Sequence, residues 1–193
     1  MTRVLLLQGH PDAAPHLCRS LADAYAEGAR GGGHETRTLD VHALDFPLLR
    51  SQQDWEHGAL PPGLREAQQA IAWAEHIVVF FPLWLGDMPA LLKGFLEQVM
   101  RPGFAFGAGE RTPFTKKGLT GRSARLVVTM GMPALVYRWY FRAHSIKSLE
   151  RNVLGFVGIA PVRETLIGGT GQVSPGDAEG WLRKLRQLGR RAA

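Results

Sequence analysis

The sequence predicts an α/β fold: a doubly wound sheet of five parallel strands in the order 2-1-3-4-5, with helices on both faces. Three observations carry that prediction. Strand-like apolar runs alternate with segments of helical period from one end of the chain to the other, which calls for parallel strands joined by crossover helices. The runs at 4–8 and 77–81 are apolar on nearly every residue, as strands covered on both faces must be. Right-handed crossovers among five such strands then favour the order 2-1-3-4-5, with ligands bound at the switch between strands one and three. With 193 residues, 45% of them hydrophobic, one domain spanning 1–193 is expected to have a full core and little disorder.

Val4-Leu5-Leu6-Leu7-Gln8 forms the first buried strand, and Gly9-His10-Pro11-Asp12-Ala13-Ala14-Pro15 a loop. A helix from about His16 places Leu17, Leu21, Ala24 and Gly28 on one face and stops at Gly31-Gly32-Gly33. Glu35–Leu39 is a short, polar strand suited to the sheet edge, and 41–62 is a long connection with an apolar knot at 44–49. Leu64, Ala67, Ile71 and Ala74 mark a helix leading into the central strand. That strand ends at Pro82, which has no N–H for the ladder, and a helix follows near Pro89 with Leu92, Phe95, Leu96 and Val99 on one face. The Gly/Lys-rich stretch to Gly121 reads as loop with a small hairpin. Ala124–Thr129 is the fourth strand, the aromatic run 137–141 precedes a helix to about Phe156, and Val162–Ile167 is the fifth strand. Ser174-Pro175-Gly176-Asp177 opens the last helix with a cap, a proline in the first turn and an acid.

Composition excludes several classes. No apolar run is long enough to span a bilayer, and the amino terminus enters a strand directly, without the cleavage site of a signal peptide. The single cysteine, Cys18, rules out an internal disulfide and a cysteine-based metal site, so a reducing cytoplasm is the expected setting and no metal is expected. The net charge of +6 resides largely in the last helix, where leucines interleave with Arg and Lys, so a solvated helix face accounts for it. No basic stripe with interleaved aromatics appears, and no nucleic-acid partner is expected.

The turn Pro82-Leu83-Trp84-Leu85-Gly86 lies at the carboxyl end of the central strand, where main-chain N–H groups and an aromatic ring can hold a flat heterocycle. A plain strand-to-helix turn with Trp84 in the core is the alternative. The loop after the first strand precedes a helix N-terminus that attracts phosphate, and His10 can add a donor or be an ordinary loop histidine. The dinucleotide fingerprint G-x-G-x-x-G is absent after the first strand, as is G-x-x-x-x-G-K-[ST], so a nicotinamide is expected as a visiting substrate.

Gly9-His10-Pro11-Asp12, Pro82-Leu83-Trp84-x-x-x-Met88-Pro89-Ala90-Leu91-Leu92-Lys93-Gly94-Phe95 and Gly103-Phe104-Ala105-Phe106 together resemble the flavodoxin-fold NAD(P)H:quinone oxidoreductases, in order from about Val4 to Gly180. The resemblance implies a flavodoxin-like fold. It also implies a bound flavin, FMN or FAD, and hydride transfer from NAD(P)H to a quinone or similar aromatic acceptor, usually in a homodimer with the flavin near the interface. Pro82, Leu83, Trp84, Leu85 and Gly86 then border the isoalloxazine. Thr129, Met130 and Gly131 match the family's Thr-Gly-Gly turn, with Met130 replacing a glycine. Tyr137 and His144 stand near the family's Tyr and His beside the flavin, with spacing stretched by one or two residues, and Tyr140 competes for the first role. Where the family has Ser-Phe-Asn at the phosphate, this chain has Pro15-His16-Leu17-Cys18. Leu17 and Cys18 take the Phe and Asn places, and a side-chain hydroxyl is lost. Cys18 read alone is a small buried hydrophobe, His144 a helix-surface residue, and the aromatic run core or dimer seam. The implied mechanism is ping-pong use of one apolar slot formed by Trp84, Met130, Met132 and the aromatic run, without stable membrane insertion. A flavin-binding regulatory or electron-carrier subunit with little turnover is the alternative.

Overall fold

In the computed structural model, which describes residues 1–107 and 116–193, the five strands join one parallel sheet in the order β2-β1-β3-β4-β5. The strands are β1 (Arg3–Gln8), β2 (Glu35–Asp40), β3 (His76–Pro82), β4 (Ser123–Thr129) and β5 (Val162–Ile167). The central strand β3 is buried along its whole length, and the polar β2 takes the edge. In the register, Gln8 pairs with Asp40 on one side and Phe80 on the other, and Pro82 pairs with Thr129. The carboxyl ends of β1, β3 and β4 therefore form one rim.

Alternate residues of each strand feed two cores. Val4, Leu6, Val78, Phe80 and Val127 pack under α1 (Leu17–Gly31), and Leu185 of the last helix joins them. Leu5, Leu7, Val79, Phe81 and Val128 pack under the opposite layer. There α3 (Arg65–Trp73) brings Ala67 and Ile71, and α4 (Ala90–Val99) brings Leu92, Phe95, Leu96 and Val99, all buried as their spacing predicts. The long connection is tied to α4 rather than free. It contains α2 (Gln52–His57), and the buried Arg101 donates to the carbonyls of Asp54 at 2.7 Å and Gly58 at 2.9 Å.

The helix expected after the aromatic run, to about Phe156, is present as α6 (His144–Ser148), a wider π-helical turn and α7 (Gly155–Val157). The sequence did not show that the first three residues of the run end a short helix, α5 (Ala134–Trp139), which Arg142 and Ala143, both at positive φ (55° and 49°), separate from α6. The expected hairpin around 107–121 has paired flanks, with Gly107 N–H donating to the Lys116 carbonyl at 2.9 Å. Residues 108–115, on which that expectation also falls, lie outside the described residues. The last helix, α8 (Pro175–Arg190), starts as expected: the Ser174 hydroxyl accepts from the Asp177 N–H at 3.1 Å.

Candidate functional site

Three segments meet at the rim: the loop after β1 with the start of α1, the turn after β3, and the turn after β4. The last two are fastened directly, since the Leu83 N–H donates to the Thr129 carbonyl at 2.7 Å. Beyond Leu83, Trp84 and Asp87 exchange two backbone hydrogen bonds of 2.9 and 3.0 Å around Leu85 and Gly86. Both central residues have positive φ, 48° and 82°, which is the primed turn of a two-residue hairpin. The strained residue is Leu85, and Gly86 takes the second position without cost. Among the described residues the N–H groups of Leu85 and Gly86 have no hydrogen-bond partner, whereas that of Trp84 is engaged with Asp87. The Trp84 side chain is 51% exposed, so it stands at the rim rather than in the core.

The turn after β4 is held from behind. Met130 N–H donates to Ile167 O at 2.9 Å, Thr170 N–H to Met130 O at 3.1 Å, and Gly169 N–H to Met132 O at 3.0 Å. The Met130 side chain points into the core at 2% exposure, so it occupies no space at the rim. Gly131 is open to solvent, with nothing within 4 Å of where a Cβ would stand.

The loop after β1 is organised by two histidines. His16 caps α1, its Nδ1 accepting from the Arg19 N–H at 3.1 Å, and its ring stacks on His10 at 3.7 Å between centroids. His10 in turn meets Trp84 edge-on at 5.6 Å, so the loop touches the β3 turn. Burial holds both imidazoles below the usual histidine range, and His16 adds to the effect on His10. Leu17 and Cys18 begin α1, and among the described residues their N–H groups have no partner, as the first turn of a helix dictates. Cys18 is buried with its Sγ 3.0 Å from the Thr129 hydroxyl, which fastens α1 to β4. Burial pushes its thiol up to about 11, although the Thr129 hydrogen bond pulls the other way. Just below, at the end of β1, the side chain of Gln8 is 2% exposed and its Oε1 has no partner.

Tyr137 and His144 are placed differently from one another. Tyr137 is buried, its hydroxyl 2.6 Å from Ser145 Oγ and accepting from the Ile146 N–H at 3.4 Å. His144 is exposed at the first position of α6. Tyr140, the competing candidate, is 79% exposed. Sequence reasoning missed His16 as a cap and Gln8 as an orphaned acceptor. Histidine is not a favoured cap residue, and a glutamine ending an apolar strand reads as the strand's polar end. A groove of about 550 Å³ lined by Trp55, Leu96, Met100, Phe106 and Phe156 shares no residue with this site.

A family described as Flavodoxin-like fold matches residues 2–190. The chain belongs to that family. Among relatives of this flavodoxin-like chain, a ribosyldihydronicotinamide dehydrogenase-like protein of Penicillium crustosum is 27% identical over 154 residues; the match covers 67% of this chain and 57% of that one, so the chain spans little more than half its length. An FMN-dependent NADH:quinone oxidoreductase of Ruegeria pomeroyi is 26% identical over 147 residues, covering 68% of this chain and 72% of the other. The solved structure of an NAD(P)H:quinone oxidoreductase from Methanothermobacter marburgensis superposes with a TM-score of 0.83 at 26% identity, over 100% of this chain and 99% of that one. In the flavodoxin-like chain itself, no helix among the described residues is long and apolar enough to cross a membrane. Nor do the described residues bring three or more His, Cys, Asp or Glu together to hold a metal ion.

Proposed function

We propose that this protein is a flavin-dependent oxidoreductase that passes a hydride from NAD(P)H to a quinone or similar small aromatic acceptor. The observation that carries the reading is the 2.7 Å bond from Leu83 N–H to Thr129 O. It joins the turns after β3 and β4 into one platform, beside which the N–H groups of Leu85, Gly86 and Gly131 have no partner among the described residues. The kinship with FMN-dependent and NAD(P)H quinone oxidoreductases supports the same reading.

The residues at the rim suit FMN or FAD. The orphaned Gln8 Oε1 lacks the donor that a ribityl hydroxyl provides, and an unpaired buried acceptor costs about 1–3 kcal/mol. The N–H groups of Leu17 and Cys18, the positive end of α1 and His10 suit a phosphate. Pro82 and Leu83 carry the β3 side of the platform, and Trp84 screens the ring from water. Leu85 and Gly86 present neutral donors to a carbonyl edge that gains negative charge, the role of an oxyanion hole. Thr129, Met130 and Gly131 form the β4 side. When bound, the flavin supplies the hydride carriage between nicotinamide and acceptor.

His144, exposed on α6, is the proposed proton donor to the acceptor oxygen. Tyr137 is proposed to act by anchoring the start of α6 through its bonds to Ser145 and Ile146. The outer face of α5 and its end expose Leu135, Val136, Trp139, Tyr140 and Phe141, neighbours in sequence of the kind that mark an interaction surface. A second copy of the chain is the proposed cover, giving a homodimer, and the cytoplasm the proposed compartment. The test is the absorption spectrum of the purified protein, followed by NADH or NADPH under anaerobic conditions. A flavin band that bleaches with NAD(P)H and returns with a simple quinone is expected. A colourless protein that takes up neither FMN nor FAD refutes the reading.

A further inference from the structure

The resemblance implies a side-chain hydroxyl at the flavin phosphate that this stretch does not offer, and the hydrogen bonds around His10 and His16 define the donors the loop does offer. His10 Nδ1 accepts from the Asp12 N–H at 3.0 Å. His16 Nδ1 accepts from the Arg19 N–H at 3.1 Å, and its Nε2 lies 3.2 Å from the Asp12 carbonyl. Because a backbone N–H can only donate and a carbonyl only accept, both Nδ1 atoms are bare and both Nε2 atoms carry the proton. His16 thus has both nitrogens occupied by the main chain. His10 keeps one free donor, Nε2–H, and its ring is held between the His16 face at 3.7 Å and the Trp84 edge at 5.6 Å.

We propose that His16 is a positioning residue: by its stack on His10 and its hold on the Asp12 carbonyl it keeps the Asp12 N–H on His10 Nδ1, so that His10 Nε2–H donates to the phosphate of a phosphorylated flavin. This rests on the flavin reading above. His16 touches no ligand: one nitrogen caps α1, the other holds the Asp12 carbonyl, and the ring face sets the plane of His10. Asp12 links the two rings, its N–H holding His10 and its carbonyl holding His16. Such a pair acts as a neutral donor, because an added proton on either Nδ1 would face a backbone N–H.

The test titrates FMN and riboflavin, which differ only in the phosphate, into apoprotein prepared from the purified holoprotein. His16→Ser keeps a favoured helix cap and removes the stack, and His16→Asn is the second cap-preserving variant. The expected result is an FMN affinity about tenfold weaker in each, with riboflavin affinity and melting temperature unchanged. His10→Gln should lose as much, and the double variant no more, since His16 acts through His10. Nitrogen NMR should show His10 in the Nε2–H form in the wild type and a tautomer mixture in His16→Ser. Equal losses for FMN and riboflavin, additive losses in the double variant, or unchanged FMN binding in both cap-preserving variants would each overturn the proposal. A wild type that binds neither flavin removes the flavin reading itself, and this proposal with it.

Discussion

Acid destabilises this fold at a point far from its site. His76 opens β3 at the amino end of the sheet, six residues before Pro82 at the rim, which is about 20 Å at the rise of a strand. Its ring is 3% exposed, with Nδ1 2.8 Å from the Ser123 hydroxyl and Nε2 buried without a partner. Burial first, and then the positive Arg125 and Arg163, lower it from 6.5 to about 4. A histidine with a depressed folded value is neutral when folded and takes up its proton more readily when unfolded. The stability it protects is therefore present above pH 6.5 and is lost as pH falls toward 4. Lowering from 6.5 to about 4 is worth about 3 kcal/mol in full, of which about 2 kcal/mol is lost between pH 7 and pH 5. Urea unfolding at both pH values, in the wild type and in His76→Gln, measures it. The wild type should lose about 2 kcal/mol more than the variant on acidification. An equal loss in both would mean that the buried imidazole does not govern the acid limb.

Three further expectations concern the site. Cys18, 2% exposed with its thiol pushed up to about 11, should resist Ellman's reagent at pH 8 in the native protein and titrate as one thiol in guanidinium. Gly168→Ala would set a Cβ 2.2 Å from the Ala134 backbone nitrogen and 2.6 Å from the Met132 carbonyl; the Met130–Met132 turn must shift, so FMN affinity should fall at least tenfold with a stability loss of about 1–3 kcal/mol, and wild-type FMN binding in this variant would contradict the platform described. Tyr137→Phe leaves Ser145 and the Ile146 N–H without their partner and should lower stability by about 1 kcal/mol with kcat within twofold, whereas His144→Ala should cut kcat/KM about tenfold at unchanged melting temperature. The opposite pattern in urea melts and steady-state kinetics would return the Tyr137 hydroxyl to the chemistry.

The fold was largely legible because it is written in periodicities. Burial on both faces forces continuous apolar strands, and a helix laid on a sheet forces an apolar stripe. Leu64, Ala67, Ile71 and Ala74 therefore foretold a buried face, and Leu92, Phe95, Leu96 and Val99 another. The stretch after β4 was legible in part: the helix after the aromatic run was expected, whereas α5 was not, and the two are separated by positive φ at Arg142 and Ala143, where the surrounding structure overrides local preference. Tyr137 and Trp139 are near neighbours in that run, yet one is 2% exposed and the other 77%. Only the placement of α5 against the sheet decides which aromatic is core and which is surface.

The site was legible as a place and not as a set of bonds, and the difference is physical. Its position follows from topology, since a reversal of strand order leaves β1 and β3 ending side by side. The groups this candidate site offers a ligand are mostly main-chain N–H, which every residue but proline owns, so their availability depends on which neighbours already use them. Trp84 and Leu85 look equivalent in sequence, yet the hairpin engages the N–H of Trp84 and leaves that of Leu85 free. His10 and His16 look equivalent as well, yet the backbone occupies both nitrogens of one and a single nitrogen of the other. Residue identity states which donors a site has; the folded main chain decides which of them remain for a ligand.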